Sequence, residues 1–484
     1  MSILKDLTPA PVWEYFEDIC KIPRLSKNEG KIREYLLEFA TTNKLEARED
    51  KSGNILIIRP PSSGMEDRKT LVLQSHMDMV GEKNADNPHN WLTDPIIPRI
   101  RDGWVTSNGT TLGADDGIGI AAQMAILTDK DLKSGKIECL FTVDEESGMT
   151  GAINLKPDFF SGEILINLDS EDEGILFIGC AGGMDTLGTM TYTPQPTIRG
   201  TQAFEISVTG LRGGHSGDEI HKGFGNSVKI MTRLLSSMLS LFNISLSKFN
   251  GGNLRNAIPR EAFATITVKR EYSDKVKRFI EGFNDTMKDE LGSLEPELKI
   301  SIRETSFPMF VMERASSEKL LGALTACPHG VISWSKDMDN LVETSTNLAS
   351  VKFIENNIVR IVTTQRSSIE SAKLEASSMV EACLRLAGSE VLKTDGYPGW
   401  KPNINSTILQ ITKESYKKLF GRYPEVKAIH AGLECGLIYE KNKKIDMISF
   451  GPTIRGAHTP EEMISIKSTQ MFWDLLLDVL RNIP

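Results

Sequence analysis

The chain has 484 residues, of which 40% are hydrophobic and 25% are charged, an ordinary composition for a globular protein. A chain of this length is too long for a single hydrophobic core, so we expect two or three domains. The 56 Lys and Arg residues against 65 Asp and Glu residues give a formal net charge of −9. Because binding to phosphates requires a basic face, this charge disfavours nucleic acid as a partner.

The cysteines and the apolar segments indicate in which cellular compartment the protein resides. The six cysteines include no CxxC pair, and scattered free thiols are typical of a reducing compartment. Residues 1–6 lack the apolar core of a secretory signal, and no apolar run approaches the length of a membrane span. We therefore expect a cytoplasmic protein with no membrane partner.

The first part of the chain alternates between helical and strand patterns. In chain order, the predicted elements are helices at 12–20 and 31–39, strands at 45–48 and 54–59, a buried strand beginning at 71, a polar loop at 81–109, a helix at 117–127, a strand at 137–143, a short helix at 148–155 and a strand at 164–168. This β–α–β alternation predicts a largely parallel sheet flanked by helices.

The pattern changes near residues 179–183. The predicted elements beyond that point are strands at 203–208, 262–269, 347–354 and 357–363 with helices at 226–241, 274–291 and 369–387, followed by a helix at 407–420, strands at 426–430 and 447–450, and a helix at 469–480. We predict an α/β catalytic domain, formed by residues 1–183 and 399–484, with a mixed, mostly parallel sheet and helices on both faces. An α+β lid of residues 184–398, made of two parts with a similar order of strands and helices, interrupts this domain.

Four apolar runs in the predicted catalytic domain end at acidic or imidazole side chains. These are His76 and Asp78 after 71–73, Asp144, Glu145 and Glu146 after 137–143, Asp169 after 164–168, and His458 after 447–450. Open α/β sheets place their active sites at the carboxyl ends of strands, so we expect these side chains to converge. Asp78 follows His76 by two residues, which places it to accept a hydrogen bond from the second imidazole nitrogen.

A further acidic pair, Asp115 and Asp116, lies in a glycine-rich turn that precedes an apolar helix. Two His residues and several carboxylates at converging strand ends suit a pair of divalent ions. Imidazole and oxygen ligands without a thiolate favour zinc, cobalt or manganese and argue against an iron–sulfur or cysteine site. We therefore predict two divalent ions, with Zn²⁺ preferred and Co²⁺ or Mn²⁺ as alternatives.

Five motifs in one order give the chain a family resemblance. They are Ser75-His76-Met77-Asp78, Gly113-Ala114-Asp115-Asp116-Gly117, Asp144-Glu145-Glu146-Ser147-Gly148, the Asp169 strand end and Gly456-Ala457-His458-Thr459-Pro460-Glu461. Over nearly the whole chain they resemble the dizinc amidohydrolases of the aminoacylase, carnosinase and peptidase T family. The segments 214–217, 429–436 and 451–460 are most similar to the Xaa-His (aminoacyl-histidine) dipeptidases of that family.

The resemblance implies the ligands of each ion. His76, Asp115 and Asp169 would hold one ion. His458, Asp115 and Glu146 would hold the other, so that Asp115 bridges the pair. In the family the peptide bond after the bridging aspartate is often cis, which here is the bond to residue 116.

The family chemistry implies roles for two further motif residues. A hydroxide bridges two cations about 3.5–4 Å apart, and the cations polarise the scissile carbonyl. By resemblance, Glu145 is the general base that takes the proton of this water and passes it to the leaving nitrogen. Asp78 is the residue that orients His76. Spacing alone does not decide whether Glu145 or Glu146 is the base.

Three of four further candidate residues lie in the predicted lid, and the fourth, His430, lies in the predicted catalytic domain. His215 matches the histidine with which the family stabilises the oxyanion, reached by domain closure or across a dimer. Arg366 suits the C-terminal carboxylate of a dipeptide because its guanidinium is bidentate, and a surface ion pair is the alternative. Asn256 matches a family lid motif and is a candidate contact for substrate or oxyanion. For His430, at the end of a predicted strand, substrate contact and plain packing are both open.

Together these residues predict an enzyme, a dizinc metallopeptidase that hydrolyses unblocked dipeptides, including Xaa-His and carnosine-like substrates. An N-acyl amino acid deacylase or a tripeptidase would use the same chemistry and is the alternative. A catalytically inactive metal-binding protein is disfavoured because Glu145 and all the ligands are present. The expected partner is a small peptide substrate, and a homodimer through the lid, common in the family, is open here.

Overall fold

The computed structural model describes residues 3–484, which divide into two units. Unit 1 contains the described residues up to Cys180 together with Trp400–Ala428 and Leu433–Pro484, and unit 2 contains Ala181–Gly399 and Ile429–Gly432. The boundaries at 183/184 and 398/399 and the lid role of the insertion stay predictions. None of the helices within residues 3–484 is long and apolar enough to cross a membrane.

The α-helices of the described chain vary from one turn to five turns. They are α1 (Ala10–Cys20), α2 (Gly30–Thr42), α3 (Ala114–Thr128), α4 (Glu145–Gly148), α5 (Thr150–Asn154), α6 (Ser227–Phe242), α7 (Ser273–Leu291), α8 (Arg314–Ala326), α9 (Glu370–Leu386), α10 (Thr407–Phe420), α11 (Glu434–Lys441) and α12 (Ile466–Asn482). Polar side chains fix several of these starts. Asn226 accepts the N–H groups of residues 228 and 229 at the start of α6, and Ser406 accepts that of residue 409 in α10.

The strands follow a different order in space from their order in the chain. They are β1 (Glu46–Glu49), β2 (Ile55–Arg59), β3 (Leu71–His76), β4 (Arg99–Arg101), β5 (Trp104–Thr106), β6 (Ile137–Thr142), β7 (Ile164–Asn167), β8 (Ile175–Cys180), β9 (Gly182–Thr191), β10 (Pro194–Pro196), β11 (Thr201–Thr209), β12 (Ser245–Gly251), β13 (Ala262–Lys269), β14 (Lys299–Glu304), β15 (Phe310–Met312), β16 (Gly330–Trp334), β17 (Val342–Ile354), β18 (Ile358–Ser367), β19 (Glu390–Lys393), β20 (Glu425–Ile429), β21 (Asp446–Ser449), β22 (Ile454–Arg455) and β23 (Met463–Ser465).

The main sheet of unit 1 has the strand order β1-β2-β6-β3-β7-β21-β8-β20. Its centre, β6-β3-β7-β21, is parallel, and the β1-β2, β2-β6 and β21-β8 pairs are antiparallel. Every residue of β3, β6 and β7 is buried, as expected for parallel strands covered on both faces. The predicted mixed α/β class is confirmed. The register aligns the ends of the three strands that carry candidate site residues.

The predicted loop at 81–109 was wrong in part, because it contains two short strands. β4 and β5 form a hairpin, and β5 also pairs with β23, which pairs with β22. Three-residue strands with exposed polar ends give little periodicity, which explains why sequence patterns did not predict them.

Unit 2 is built on an antiparallel sheet with the order β14-β11-β13-β12-β17-β18-β9-β19, to which β16 adds beside β17. Helices α6 and α9 pack on its strands. The core between helices and sheet includes Phe204, Leu234, Phe249 and Leu348, each with no exposed side-chain surface. The α+β character predicted for this part of the chain is present, but α8, β9, β10, β12, β14–β16 and β19 were not predicted.

We predict that Phe204→Ala destabilises the protein. Phe204 on β11 is fully buried, and truncating such a residue leaves a cavity that costs about 3–5 kcal/mol. The matched control is Phe263→Ala on the neighbouring β13, where the side chain is 41% exposed, so the loss should be less than about half as large. Chemical denaturation followed by circular dichroism measures both, and equal losses would contradict the described core.

Candidate active site

His76 lies at the end of β3 and is only 1% exposed. Its Nδ1 lies 3.1 Å from the Asp78 carbonyl oxygen and 3.4 Å from Asp78 Oδ1. These contacts occupy one ring nitrogen and leave Nε2 to face the acidic residues beyond the strand. Asp78 therefore stands where the sequence predicted it, beside the second nitrogen of the imidazole.

The Asp78 carboxylate also fixes the residues that follow β6. Its Oδ1 accepts the N–H of Glu145 at 3.0 Å, and its Oδ2 accepts the N–H of Glu146 at 3.2 Å and the hydroxyl of Ser26 at 2.8 Å. Although burial opposes ionisation, the hydrogen bonds from His76, Glu145 and Ser26 lower the pKa of Asp78 to about 2. One buried carboxylate thus sets the positions of the residues on two neighbouring strand ends.

Asp115 divides its two carboxylate oxygens between two imidazoles. Oδ1 lies 3.0 Å from His76 Nε2, and Oδ2 lies 3.1 Å from His458 Nε2. The same His76 nitrogen is 3.3 Å from Asp169 Oδ1, and the same His458 nitrogen is 2.9 Å from Glu146 Oε1. The five side chains therefore form two sets that share Asp115. The peptide bond that follows Asp115 is cis, as the family resemblance implied.

These side chains fit divalent cations by their donor chemistry. The sets His76–Asp116–Asp169, His76–Glu145–Glu146 and Asp115–Glu146–His458 each offer ligand atoms within 4.8 Å of one another. Imidazole nitrogen and carboxylate oxygen are the donors that zinc, cobalt and manganese share. Asp116 is buried and has an oxygen, Oδ2, without a partner among the described residues.

The acidic groups at the site are crowded and poorly solvated. Burial, with repulsion from Glu434, Glu146 and Asp115, raises the pKa of Glu145 to about 8, although His76 opposes the rise. Burial likewise raises the pKa of Asp169 above its ordinary range. Carboxylates in such a place ionise at neutral pH only if positive charge is supplied. The cluster is therefore electrostatically suited to cations.

Three buried charged residues at the site were not predicted from the sequence. Arg24, 2% exposed, donates to the carbonyl oxygens of Met77, Asp78 and Gly113. Glu462, also 2% exposed, accepts backbone N–H groups of residues 112–115. Both are far from their partners in sequence. Arg24 lies in no motif, and Glu462 directly follows the motif that ends at Glu461.

Glu434 is the third of these residues and lies at the start of α11. Its Oε2 accepts the side chains of Gln74 and Thr142, both at 2.7 Å, and the Gln74 amide oxygen in turn accepts Asn167 at 2.6 Å. Ser449 completes this buried layer by donating to Asn167 at 2.6 Å. The polar layer crosses four strands at their carboxyl ends: Thr142, Asn167 and Ser449 are the last residues of β6, β7 and β21, and Gln74 lies two residues before the end of β3. It thereby fixes the edge of the sheet beneath His76 and Asp169.

The lid candidates belong to unit 2. The N–H groups of Gly217 and Asp218 and the Asp218 carboxylate all lie on the Nδ1 side of the His215 ring, at 3.2–3.3 Å, which leaves Nε2 for other partners. The His215 backbone forms a β-bridge with Ala257, and Asn256 beside it is exposed while its carbonyl accepts the N–H of Ser216.

Arg366 and His430 are buried polar groups of the same unit. Arg366 is 6% exposed and donates from Nη1 to the Tyr397 hydroxyl at 2.9 Å, while its Nε meets no acceptor among residues 3–484. His430 is 6% exposed and pairs its Nε2 with Ser345 Oγ at 2.7 Å, and its Nδ1 has no partner in the described chain. Burial lowers the pKa of His430 to about 3, so its ring is neutral. The surface ion pair considered for Arg366 is wrong, because the side chain is buried.

We predict that Asp78→Asn weakens binding of divalent cations. The amide keeps the size of the side chain, but its N–H₂ group would face the backbone N–H groups of Glu145 and Glu146. The amide could therefore not hold these residues and His76 in place together. Loss of such a partner of a ligating histidine typically costs about 10–100-fold in metal affinity. Titration with Co²⁺ measures it. Asp102→Asn, whose side chain is 89% exposed, is the control and should bind as the unaltered protein does; equal binding by both variants would contradict the anchor role.

Known proteins share sequence and fold with this chain. The family model described as Peptidase family M20/M25/M40 matches residues 72–482. The chain is 41% identical to the cytosol non-specific dipeptidase of Escherichia coli (strain K12) over 484 residues, which is 100% of both proteins. It is also 41% identical to the crystal structure of aminoacylhistidine dipeptidase from Vibrio alginolyticus, with a TM-score of 0.95, covering 100% of this chain and 98% of that one.

A more distant structure shares the fold alone. Aminopeptidase PepT from Bacillus cereus is 17% identical with a TM-score of 0.58, and 99% of each chain is covered. The family match, the full-length identity and the order of the strand-end motifs lead to one conclusion. The chain belongs to peptidase family M20/M25/M40.

Proposed function

We propose that the chain is a metal-dependent dipeptidase that hydrolyses unblocked dipeptides, including Xaa-His and carnosine-like substrates. Full-length relatives at 41% identity carry the names cytosol non-specific dipeptidase and aminoacylhistidine dipeptidase. The observation that carries the proposal is the division of the Asp115 oxygens between His76 and His458, at 3.0 and 3.1 Å. A carboxylate held in this way can serve two cations at once.

The proposed cofactor is a pair of divalent ions, Zn²⁺ first, with Co²⁺ or Mn²⁺ suited to the same donors. His76, Asp115 and Asp169 would hold one ion, and Asp115, Glu146 and His458 the other. When bound, the pair would polarise the scissile carbonyl and acidify the attacking water. The chain itself supplies the arrangement of ligands, through Asp78 and the sheet edge.

Glu145 is the proposed general base. Its backbone N–H is fixed by Asp78 at 3.0 Å, and one of its carboxylate oxygens lies within 4.8 Å of donor atoms of His76 and Glu146. Burial beside other carboxylates raises the pKa of Glu145 in the metal-free chain, and the positive charge of bound cations would lower it, so that Glu145 is ionised and can accept a proton at neutral pH. Glu145 would move the proton from the attacking water to the leaving nitrogen.

Residues of unit 2 are proposed to bind the rest of the substrate. Arg366 carries a buried charge with an unused N–H, which suits the C-terminal carboxylate of a dipeptide. His215 would donate from Nε2 to the developing oxyanion. Asn256 and His430 are further candidate contacts. The proposal also includes a homodimer through unit 2. It includes a cytoplasmic location as well, in line with the word cytosol in the name of the E. coli relative.

We predict that the metal-loaded protein releases free histidine from Gly-His and β-Ala-His but not from N-acetyl-His. Glu145→Gln should lower kcat by at least about 100-fold, the range of general acid–base catalysis, and should keep its metal content. The matched control is Glu163→Gln, where the side chain is 69% exposed and kcat should not change. Amino acid analysis measures product, and elemental analysis measures bound metal.

The other outcomes separate the alternatives. Cleavage of N-acetyl-His alone would place the chain among the deacylases, and cleavage only of a tripeptide such as Gly-Gly-His would make it a tripeptidase. Unchanged turnover by Glu145→Gln would overturn the base assignment. Two bound ions without turnover of any of these compounds would overturn the proposed substrate class.

A further inference from the structure

Glu462 is a buried carboxylate whose hydrogen bonds all converge on one short loop. Its Oε2 accepts the N–H groups of Leu112 and Gly113 at 2.7 and 2.9 Å. Its Oε1 accepts those of Ala114 and Asp115 at 2.7 and 3.3 Å. Four consecutive backbone donors are therefore satisfied by a single side chain that lies about 350 residues further along the chain.

The loop that Glu462 holds has no regular structure of its own. Asp115 has φ −81° and ψ 111°, which are not helical values although the residue lies at the start of α3. Backbone N–H groups at a helix start lack intrahelical acceptors, and a carboxylate satisfies them well because its charge also opposes the helix dipole. Without Glu462, these four groups would be buried without acceptors or would have to move.

The opposite side of the loop is held by Arg24, which donates to the Gly113 carbonyl oxygen. Gly113 has φ 69°, and a Cβ added there would lie 2.6 Å from Arg24 Nη2. The loop therefore has the Arg24 guanidinium on its carbonyl side and the Glu462 carboxylate on its N–H side. Both side chains are buried, so solvent does not weaken these interactions.

Glu462 also belongs to the segment that carries His458. The Glu462 N–H donates to the Thr459 carbonyl at 3.1 Å, and the Thr459 N–H donates to Gly456 at 3.2 Å, which closes a turn around His458. The same residue thus joins the turn bearing His458 to the loop bearing Asp115. These are the two residues that meet at 3.1 Å through His458 Nε2 and Asp115 Oδ2.

We propose that Glu462 is a positioning residue that sets the distance and direction between Asp115 and His458, and thereby forms the ion site that these two residues share with Glu146. This inference rests on the proposed function only in taking Asp115 and His458 as metal ligands. The charge is needed as well as the shape, because a neutral amide would place an N–H₂ against two backbone N–H groups. Glu462 itself contacts neither substrate nor cation in this role.

The test is a Co²⁺ titration of metal-free protein followed by the visible absorption of the bound ion, with competition by a chelator for affinity. The unaltered protein should bind two ions. Glu462→Gln should raise the dissociation constant of the ion held by Asp115, Glu146 and His458 at least tenfold. It should raise that of the other ion by a clearly smaller factor, because that site shares Asp115 but its other ligands, His76 and Asp169, are not held by Glu462. Glu462→Asp keeps the charge but is one methylene shorter. Its dissociation constant for the ion beside His458 should therefore lie between those of the unaltered protein and of Glu462→Gln.

The matched control is Glu461→Gln, which removes the same charge from the exposed neighbouring residue. It should leave both dissociation constants within twofold. Two ions bound by Glu462→Gln with unchanged affinity and absorption would overturn the inference and leave the proposed function intact, whereas fewer than two ions in the unaltered protein would overturn the proposed function itself.

Folding of the variants is checked by circular dichroism on the metal-free proteins. If Glu462→Gln does not fold, Glu462→Asp decides the question. An aspartate variant that folds and binds both ions as the unaltered protein does would overturn the positioning role, and selective loss at one ion would support it. An equal loss at both ions would also overturn it, because general loosening of the site has no preference for His458.

Discussion

The arrangement of the site depends on one carboxylate facing two imidazoles. Asp115 can turn one oxygen to His76 and the other to His458 only if its backbone is fixed, because a side chain with two rotatable bonds follows small shifts of the main chain. The loop around it is accordingly held from both sides by buried charges, Arg24 and Glu462. The strand end on the far side is held by Asp78. Hydrogen bonds between backbone groups and the buried charged side chains of Arg24, Glu462 and Asp78 thus orient the candidate metal ligands.

Electrostatics then explains why cations are expected there. Acidic side chains from several strand ends are gathered where water is largely excluded, and burial raises the pKa of Glu145 and Glu434 to about 8 and 7. Such a concentration of carboxyl groups is unfavourable unless positive charge compensates it. Buried groups whose charges destabilise the fold are typical of functional sites. Here the two divalent ions that the family uses would compensate the negative charge of the carboxylates.

The sequence singled out candidate site residues that the structure brings together, although it missed several elements of the fold. His76, Glu146, Asp169 and His458 could be singled out because each follows an apolar run, and parallel strands bring such ends together. Asp115 could be singled out because it lies in a glycine-rich turn that precedes an apolar helix. Arg24, Glu434 and Glu462 were not predicted as site residues, because each acts on partners that only the folded chain brings near. Glu434 lies in the family-like segment 429–436 and Glu462 directly follows the motif that ends at Glu461, but neither position indicates which groups the side chain contacts. The strands β4 and β5 were missed because three residues are too few to show alternation. The burial of Arg366 likewise depends on packing within unit 2 that no local pattern expresses.

The most direct test of the account is anomalous X-ray diffraction from crystals of the protein grown with Zn²⁺. The account predicts two zinc peaks about 3.5–4 Å apart, with one Asp115 oxygen bound to each, His76 and Asp169 completing one site, and His458 and Glu146 completing the other. A single zinc peak, or two peaks of which only one is bound by Asp115, would contradict the bridging arrangement on which the proposed function rests.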